Sequence, residues 1–543
     1  MKDQLSPYIQ SCIISRLLGG LNNAHHHGGK DTFRGSDFWY IVFHGEKKRL
    51  VEPITSTSII DIALVSKWWL HVVRQRSTSV HFRGHLDSVI LQSIHSSPHS
   101  LYSSNNIDTI KWTLALKDEP PLKKMDYETQ LIHLPPKLQT INVQCNGNVN
   151  VQVMESLKSI QTRYPHIVIN TEFVSIGQEY YSSIHQWPKS LKGFTPNTAS
   201  LGFYDFQSNH PDDDSPLQYT KENNLFDMIR DLQPQSLNLY TDQFRQMHSV
   251  YKSLFKQLCA SSSTPLKHLS INTDHVELCE LKHLPSHLES LKLDIGTIPL
   301  YGPPPNEDYS PIFYRFESSM QDWISFCNSI ANNRCLKRLH LYDHHYDCHE
   351  PLDQEKLNIF QSAFDGIWSG GGGSEKLGMV PNNNIDYLAL VSMPNVMSSN
   401  LWSTLCDNNN ITKLILAHGT VTNAMVPLLA NLIATNTTIT VLSIRGNELL
   451  TTEELEDAFV ENKTITVLDI GLNFCKEQDE YYFFDALLSS DTVQYLFLDK
   501  KFRKYKPCFE TIPYFTQSKS LIEFILDKRG LFDSPYFNNS SLK

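Results

Sequence analysis

The densest group of side chains that could do chemistry in this sequence is DHHYDCHE, from Asp343 to Glu350. Its three histidines and one cysteine are side chains that bind zinc, and carboxylates lie beside them. A structural zinc site also requires a second, separated pair of cysteines or histidines, which the sequence does not supply. The cluster directly follows the strand-like RLHLYD, where a loop leaves the fold. We therefore predict a solvated loop there, with no tightly bound metal.

Sequence patterns of common catalytic sites are missing as well. The sequence contains no G-x-x-x-x-G-K-[ST], no G-x-S-x-G and no H-E-x-x-H pattern. The glycine run from Gly370 to Gly373 lacks the strand, helix and lysine that a phosphate-binding loop needs. We therefore predict that the protein is not an enzyme and needs no cofactor.

The overall charge argues against a polyanion as the partner. Among the 543 residues, 47 Lys and Arg stand against 58 Asp and Glu, which gives a formal net charge of −11. No long basic tract interrupts this acidic balance, so nucleic acid is not the expected partner. Hydrophobic residues reach 40% and aromatic residues 11%, which is typical of a folded chain rather than a disordered one.

The expected location is the cytoplasm or the nucleus. The opening MKDQLSPYIQSCIISRLLGG lacks the basic cluster and uninterrupted apolar stretch of a secretory signal. Apolar runs such as VPLLANLI, from Val426, are far too short for a membrane span. The ten cysteines form no C-x-x-C pair, which is typical of free thiols in a reducing compartment. No membrane partner is predicted.

A repeated pattern of apolar residues in the C-terminal part of the sequence predicts the elements that would position functional residues. Apolar residues occupy the first, fourth and sixth positions of ITKLIL, ITVLSI, ITVLDI, VQYLFL and LIEFIL, which begin at Ile411, Ile439, Ile465, Val493 and Leu521. Their starts are 26 or 28 residues apart. Asn447 and Asn473 complete L-x-x-L-x-L-x-x-N in two of them. This spelling resembles the leucine-rich-repeat family in its longer, ribonuclease-inhibitor-like form.

Alternating apolar positions in each unit predict a short strand with one buried face, and helix signals stand between the strands. In TTEELEDAFVENK, Thr451 and Glu454 have capping-box spacing, which predicts a helix start. Three apolar residues share one face of that helix: Leu455, Ala458 and Phe459. Asn462 is predicted to end the helix, because asparagine tolerates the left-handed conformation. Asparagines precede other units at the same spacing, so we interpret the N-x-T sequons as turn chemistry.

The same spelling continues upstream and enlarges the array. CLKRLHL, IDYLAL, LKHLSI and LESLKL keep the apolar positions, and IDTIKW, from Ile107, is predicted to be the first strand. The LP-x-x-L-x-x-L-x-L openings from Leu134 and Leu284 are similar to FNIP-type repeats. The predicted fold is an α/β leucine-rich-repeat solenoid over residues 86–543, with irregular repeats at 105–395 and regular ones at 408–530. The resemblance implies a curved horseshoe with a parallel concave sheet and helices outside.

Residues 1–85 are predicted to form a small, mainly helical module before the repeats. LSPYIQSCIISRLL and IIDIALVSKWWLHVV are amphipathic, and DFWYIVFHGEKKRLVEP between them is predicted to be a hairpin. The two segments resemble an F-box that carries an insertion. That resemblance implies binding to the adaptor subunit of an SCF ubiquitin ligase through Pro7, Ile13, Leu17, Leu64, Val65 and Trp68. The alternative is a helical cap that shields the core of the first repeat.

The partner-binding residues are predicted from the pleat of the strands. Side chains at the third, fifth and seventh positions of a unit alternate with the buried ones, so they point to the concave face. The predicted partner-binding residues are Arg338, His340, Tyr342, Tyr387, Arg445, Asp469, Tyr495, Phe497 and Asp499. Ala389, Val391 and Asp527 occupy equivalent positions. Within the set, Tyr387, Tyr495 and Phe497 are the predicted anchors, and Arg445, Asp469 and Asp499 are predicted to set the charge preference.

Two functions are compatible with this organisation. The first is a substrate-recognition subunit of an SCF-type ubiquitin ligase, with the adaptor at the N-terminal module and the target protein on the concave face. The second is a non-enzymatic leucine-rich-repeat scaffold that holds a signalling or cytoskeletal partner on the same face. Co-purification of cullin and adaptor would separate the two.

Overall fold

A computed structural model of the chain describes residues 71, 74–75, 78–83, 102–114, 134–146, 151–176, 193–204, 232–241, 266–272, 278, 281, 284–295, 319–343, 353–369, 382–473, 486–487, 489–498 and 523–526. The six residues predicted to bind an adaptor lie outside these ranges, as do residues 344–350 of the histidine cluster. The chain divides into two compact units, Met1–Gln243 and Phe244–Lys543, called unit 1 and unit 2 below.

Unit 1 contains a parallel sheet whose described strands follow one another in sequence order. These strands are β1 (Ser79–Arg83), β2 (Thr109–Leu114), β3 (Thr140–Asn146), β4 (Val168–Ile176), β5 (Thr198–Tyr204) and β6 (Ser236–Thr241). Helix α1 (Val151–Arg163) joins β3 to β4. Ile110, Ile141 and Ile169 are in register across β2, β3 and β4, and all three are buried. One face of this sheet therefore forms a core.

Unit 2 repeats the same parallel arrangement. Its described strands are β7 (His268–Asn272), β8 (Ser290–Asp294), β9 (Arg338–Tyr342), β10 (Tyr387–Val391), β11 (Lys413–Ala417), β12 (Val441–Ser443), β13 (Val467–Asp469), β14 (Tyr495–Leu498) and β15 (Glu523–Leu526). Each strand pairs in parallel with the next one along the chain. The fourth position of successive units is one buried, in-register row: Leu388, Leu414, Leu442, Leu468 and Leu496. The predicted repeat strands of unit 2 and the α/β class with a parallel sheet are thus confirmed, whereas the hairpin predicted in residues 37–53 lies outside the described residues.

Helices alternate with the strands of unit 2. They are α2 (Met320–Asn332), α3 (Gln354–Ser369), α4 (Ser399–Asp407), α5 (Val426–Thr435) and α6 (Glu453–Glu461), with short 3₁₀ turns at Pro394–Val396 and Asn423–Met425. The cap of α6 is Thr452 rather than the predicted Thr451, because its hydroxyl is the one that accepts the Leu455 N–H at 3.3 Å. The predicted face of α6 is confirmed, since Leu455, Ala458 and Phe459 are buried. No helix among the described residues is both long and apolar enough to span a membrane.

The two faces of the unit 2 sheet have different surroundings. Leu432 and Ile433 of α5 line one small cavity together with Leu442 of β12, so the leucine row faces the helices. Because side chains alternate along a strand, Val441 and Ser443 lie on the opposite face. We call this opposite face the far face. It is formed on β8 to β14 by Ser290, Lys292, Arg338, His340, Tyr342, Tyr387, Ala389, Val391, Lys413, Ile415, Ala417, Val441, Ser443, Val467, Asp469, Tyr495 and Phe497.

Buried amides join two strand exits of unit 2 to the preceding unit. Asn447 Nδ2 donates to the carbonyl oxygens of Leu416 and Ile444, both at 2.7 Å. Asn473 Nδ2 likewise donates to Ile444 O at 2.7 Å. The unit that begins at Ile411 has Gly419 at this position, and Thr420, one residue later, makes the equivalent hydrogen bonds. The Thr420 hydroxyl lies 3.0 Å from Leu390 O and accepts the N–H of Met393 at 3.1 Å.

A second set of asparagines closes the helix exits. Asn436 Oδ1 accepts the N–H groups of Thr438 and Ile439, both at 2.8 Å, and Nδ2 donates to Leu405 O at 2.8 Å. Asn462 repeats this pattern one unit later, but its backbone is extended (φ −58°, ψ 137°) and not left-handed as predicted. The asparagine ends the helix through its side-chain hydrogen bonds. Asn436 and Asn462 are 4% and 1% exposed, which supports the interpretation of these sequons as turn chemistry.

Four strands of unit 1 were not predicted. Strand β1 begins at Ser79, inside residues 1–85, so the sheet starts before the predicted module boundary and before Ile107. Strands β4, β5 and β6 lack the repeated leucine spelling. On β4, for example, the buried row includes Thr171 between Ile169 and Phe173, and a polar residue there hides the apolar alternation.

Candidate protein-binding surface

The equivalent face of unit 1 is a ladder of polar side chains. Asn170 Nδ2 donates to Asn142 Oδ1 at 2.8 Å, and Asn197 Nδ2 donates to Asn170 Oδ1 at 3.3 Å. Asn238 Nδ2 donates to Ser200 Oγ at 3.0 Å. These amides bind one another across the strands. The far face of unit 2 instead carries aromatic and charged side chains.

An apolar cluster lies at the centre of the far face. Its buried members are Ala389, Val391, Ile415 and Ala417, and the half-buried Tyr342 and Tyr387 pack against it. The small residues on β10 and β11 leave room for the two tyrosine rings beside them. Both rings therefore present one apolar side to the cluster while part of each ring stays accessible.

His340 connects these two tyrosines. Its ring centroid lies 4.2 Å from that of Tyr342 and 6.1 Å from that of Tyr387. Lys292 Nζ lies 5.2 Å from the centroid of Tyr342, at cation–π distance. Burial holds the pKa of His340 well below its usual value, and the charge of Lys292 lowers it further. His340 is therefore neutral at physiological pH and serves as an aromatic spacer.

Cations surround this aromatic group. Arg338 on β9 and Lys413 on β11 are in register on either side of Tyr387. Arg338 is exposed, and Lys413 is half-buried. Burial lowers the pKa of Lys413, the nearby Arg338 charge lowers it further, and Asp386 raises it. In the sheet register, one strand separates the two cations.

A buried ion pair lies farther along the far face. Arg445 Nη1 is 3.2 Å from Asp469 Oδ1, and the two residues are 2% and 0% exposed. The same Asp469 oxygen accepts the N–H of Gly471 at 3.2 Å, and Ser443 Oγ donates to the other oxygen at 3.4 Å. A Cβ atom at Gly471 would overlap the guanidinium of Arg445, so any larger residue there would displace the arginine side chain.

No protein-family model and no curated protein matches this chain.

A second apolar cluster follows the ion pair. It consists of the buried Val467 and Phe497, with the half-buried Val441 and Tyr495 packed against them. Phe497 is 0% exposed, whereas Tyr495 keeps part of its surface accessible. The far face thus ends with one accessible aromatic residue on β14.

The nine predicted partner-binding residues fall into three groups. Arg338, Tyr342, Tyr387 and Tyr495 are accessible on the far face. His340, Arg445, Asp469 and Phe497 are on the same face but buried, as are Ala389 and Val391. Asp499 lies outside the described residues, and so does Asp527. Only the first group is accessible for direct contact with a partner, because neighbouring side chains already enclose the second group.

Two cations of the far face were missing from the predicted set. Lys413 is the third residue of ITKLIL and Lys292 the fifth of LESLKL, so both satisfy the spacing that selected the other residues. Applying that rule to every unit would have found them. Among the described residues, no group of three or more His, Cys, Asp or Glu side chains could hold a metal ion. Of the histidine cluster, Asp343 alone is described, and it is buried.

Proposed function

We propose that this chain is a non-enzymatic leucine-rich-repeat protein that binds a protein partner on the far face of unit 2. The observation that carries the proposal is the set of half-exposed tyrosines, Tyr342, Tyr387 and Tyr495, anchored on buried apolar clusters. Tyrosine buries a large ring at low entropic cost and keeps a polar hydroxyl, which makes it a frequent interface anchor.

The leucine-rich-repeat assignment is supported by three features of unit 2. The leucine row is in register from β10 to β14. Asn447 and Asn473 connect neighbouring units at the strand exits. Helices alternate with the strands, and α5 faces the leucine row. Repeats of this kind bury a continuous core while one face of the sheet stays available for a partner.

For the biological role, we propose substrate recognition within an SCF-type ubiquitin ligase. This role rests on the resemblance of residues 1–85 to an F-box. The alternative is a scaffold without ubiquitin chemistry, which needs the far face alone. Both roles use the same surface, so they differ in whether the N-terminal module binds an adaptor.

The test of the binding surface is a pull-down with the full chain. We expect the triple variant Tyr342→Ala, Tyr387→Ala, Tyr495→Ala to recover the retained partner at least about tenfold less well, since each interface anchor contributes about 2 kcal/mol. A matched control removes exposed apolar area from the helices, through Ile359→Ala, Leu428→Ala and Val460→Ala. Undiminished recovery by the tyrosine variant would exclude the far face.

The two roles are separated by mass spectrometry of proteins that co-purify with the full chain. The ligase role predicts cullin and adaptor peptides, and their loss in the variant Leu64→Ala, Val65→Ala, Trp68→Ala. Substitution is a cleaner test than deletion of residues 1–80, because that deletion would remove the start of β1. If cullin and adaptor never co-purify with the intact chain, the scaffold role is favoured.

A further inference from the structure

Six residues of unit 2 lie where strands β7, β8 and β9 begin. We call them the edge cluster: Lys267, His268, Glu289, Ser290, Lys337 and Arg338. The first residues of the three strands are in register, with Ser290 between His268 and Arg338. The N–H groups of Glu289 and Ser290 donate to Lys267 O at 2.7 and 3.0 Å, and those of Lys337 and Arg338 donate to Glu289 O at 2.8 and 3.1 Å. Backbone hydrogen bonds therefore hold the cluster in place.

Two lysines of the edge cluster share one carboxylate. Glu289 Oε1 lies 3.0 Å from Lys267 Nζ, and Glu289 Oε2 lies 3.4 Å from Lys337 Nζ. These contacts lower the pKa of Glu289, so its carboxylate is ionised at neutral pH. An ammonium group has three N–H donors, so one carboxylate oxygen leaves donors over on each lysine. The lysine side chains are 49% and 59% exposed, so a ligand can reach those donors.

Arg338 adds a third positive charge to the edge cluster. The residue is exposed, and within the described part of the chain it makes no ion pair. Asp386 follows Lys337 along the same edge of the sheet, but it forms no ion pair with either cation among the described residues. Three cations against one carboxylate therefore leave the edge cluster with a net charge of +2.

His268 indicates that these charges act on one place. Burial lowers its pKa, the Glu289 charge opposes this effect, and the charges of the three cations lower the pKa further. The imidazole is therefore neutral at physiological pH. The Cα atoms of His268 and Arg338 are two strand spacings apart, which is about 10 Å. Ser290 between them is small, so an anion can lie over it with the imidazole on one side and the guanidinium on the other.

The charge and the small extent of the edge cluster match a phosphate monoester. Such a group carries a charge of about −1.5 to −2 at neutral pH and has three acceptor oxygens. Its charge balances that of the cluster, and its oxygens fit the fork of guanidinium donors on Arg338. A carboxylate has one negative charge and would leave the cluster positively charged. A nucleic acid presents an extended track of phosphates, which three strand starts are too short to follow.

We propose that the edge cluster binds a phosphoserine or phosphothreonine side chain of the protein partner, with the phosphate over Ser290. Arg338 donates to the phosphate oxygens through its guanidinium, and Lys267 and Lys337 donate through their ammonium groups. This inference rests on the proposed function, because it names a chemical group of the partner on the same surface. Ser290 and Arg338 belong to the far face, and Tyr387 is in register with Arg338, so residues that flank the phosphate contact the tyrosine ring.

The test begins with peptide libraries on the immobilised full chain. One library has a central phosphoserine and four randomised residues on each side, and two matched libraries have serine or aspartate at the centre. We expect phosphoserine to be retained at least about tenfold better than serine and about threefold better than aspartate, because of its second charge and third oxygen. A retained phosphopeptide is then labelled for fluorescence anisotropy, with inorganic phosphate and single-stranded RNA as competitors. Neither competitor should displace it at equal concentration.

Variants of the full chain distinguish the edge cluster from general charge effects. Together, Lys267→Gln, Lys337→Gln and Arg338→Gln should weaken phosphopeptide binding at least about tenfold, since they remove all three charged donors. The control carries Lys137→Gln, Lys356→Gln and Lys463→Gln, exposed cations elsewhere on the chain that change the net charge equally.

The variant Glu289→Gln gives an effect of opposite sign. It removes the competing carboxylate and keeps all three cations, so it should strengthen phosphopeptide binding about threefold. A variant that merely disrupted the fold would weaken binding. Circular dichroism of each variant verifies that the chain is folded.

Several outcomes would overturn the proposal. They are equal retention of the three libraries, an equal loss in the two triple variants, or weaker binding by Glu289→Gln. Displacement by RNA or by inorganic phosphate at equal concentration would assign the edge cluster to a different ligand. If the phosphopeptide fails while the tyrosine variant still loses its partner, the phosphate assignment is wrong and the proposed function stands. If both fail, the surface itself is excluded.

Discussion

Arg338 and Arg445 lie on the same face of one sheet, but their surroundings are opposite. Arg338 is exposed on β9, where it is in register with Tyr387, whereas Arg445 is buried against Asp469. The spacing of each unit places both residues on the far face. Spacing therefore determines the face, and the neighbouring units determine whether a charge is available to a partner. On β9 the arginine stays accessible, whereas the β12 to β13 part is held by its own ion pair.

The largest expected effect comes from breaking the ion pair. Asp469→Asn leaves the guanidinium of Arg445 buried without its counter-charge, so we expect a loss of about 3–5 kcal/mol in the free energy of unfolding. Urea denaturation followed by circular dichroism measures it. The double variant Arg445→Met, Asp469→Leu should recover at least half of that loss, because neither charge remains. A loss below about 1 kcal/mol in the single variant would contradict the buried pair.

The next largest effect tests whether the hydrogen bonds of a helix-exit asparagine also stabilise the β12 to β13 part. Asn462→Ala removes hydrogen bonds to Thr464, Ile465 and Ile433 and leaves buried backbone groups unsatisfied. We expect a loss of about 2–3 kcal/mol in the free energy of unfolding. Asn410→Ala, at a partly exposed sequon asparagine, is the control and should cost less than about 0.5 kcal/mol. Equal losses of stability in the two variants would mean that the Asn462 hydrogen bonds do not stabilise the fold.

A smaller effect depends on pH and belongs to the β8 to β11 part. The pKa of His340 in the folded chain lies well below 6.5, so the unfolded chain takes up a proton first as the pH falls. Above about pH 6.5, His340 is neutral in both the folded and the unfolded chain and its titration does not reduce stability. Below that pH only the unfolded chain is protonated at His340, so the free energy of unfolding falls by up to about 1.4 kcal/mol per pH unit. Urea midpoints at pH 7.5 and 5.5 measure the change. His340→Phe keeps an aromatic ring and should reduce the difference, and an unchanged difference would assign it to other histidines.

The smallest effect on stability is expected at Arg338. Its exposed side chain contributes little to folding, so Arg338→Gln should change the free energy of unfolding by less than about 0.5 kcal/mol. A much larger loss would show that Arg338 is part of the packed fold, and the contrast with Arg445 would disappear.

The fold of unit 2 follows directly from its sequence. The apolar fourth and sixth positions of each unit lie on the buried side of its strand, and the fourth positions form an in-register row, because a strand with period two has one face for the core. Much of the unit 1 sequence lacks this repeated apolar pattern. Thr171 occupies a buried position on β4, and its hydroxyl lies 3.3 Å from Thr198 O, so a polar residue serves where the pattern expects an apolar one.

The accessibility of the surface could not be predicted from spacing. Phe497 and Tyr495 belong to the same unit, yet one is enclosed by Val467 and the other is partly exposed. Burial of a far-face residue depends on side chains contributed by neighbouring units, which are distant in sequence. A periodic pattern predicts on which face of the sheet a residue lies. It does not predict the sizes and charges of the side chains that neighbouring units place beside that residue.

Gly446 and Gly471 follow strands β12 and β13, and they make neighbouring units complementary in shape. Gly471 leaves the space that the guanidinium of Arg445 occupies, and a Cβ at Gly446 would lie 2.6 Å from Nδ1 of His418. In each case the glycine of one unit accommodates a large side chain from the unit before it. These units are therefore not interchangeable modules. Exchanging, duplicating or deleting a whole unit in this region would preserve the leucine row while placing a Cβ against a large side chain, so the order of units is itself under structural constraint.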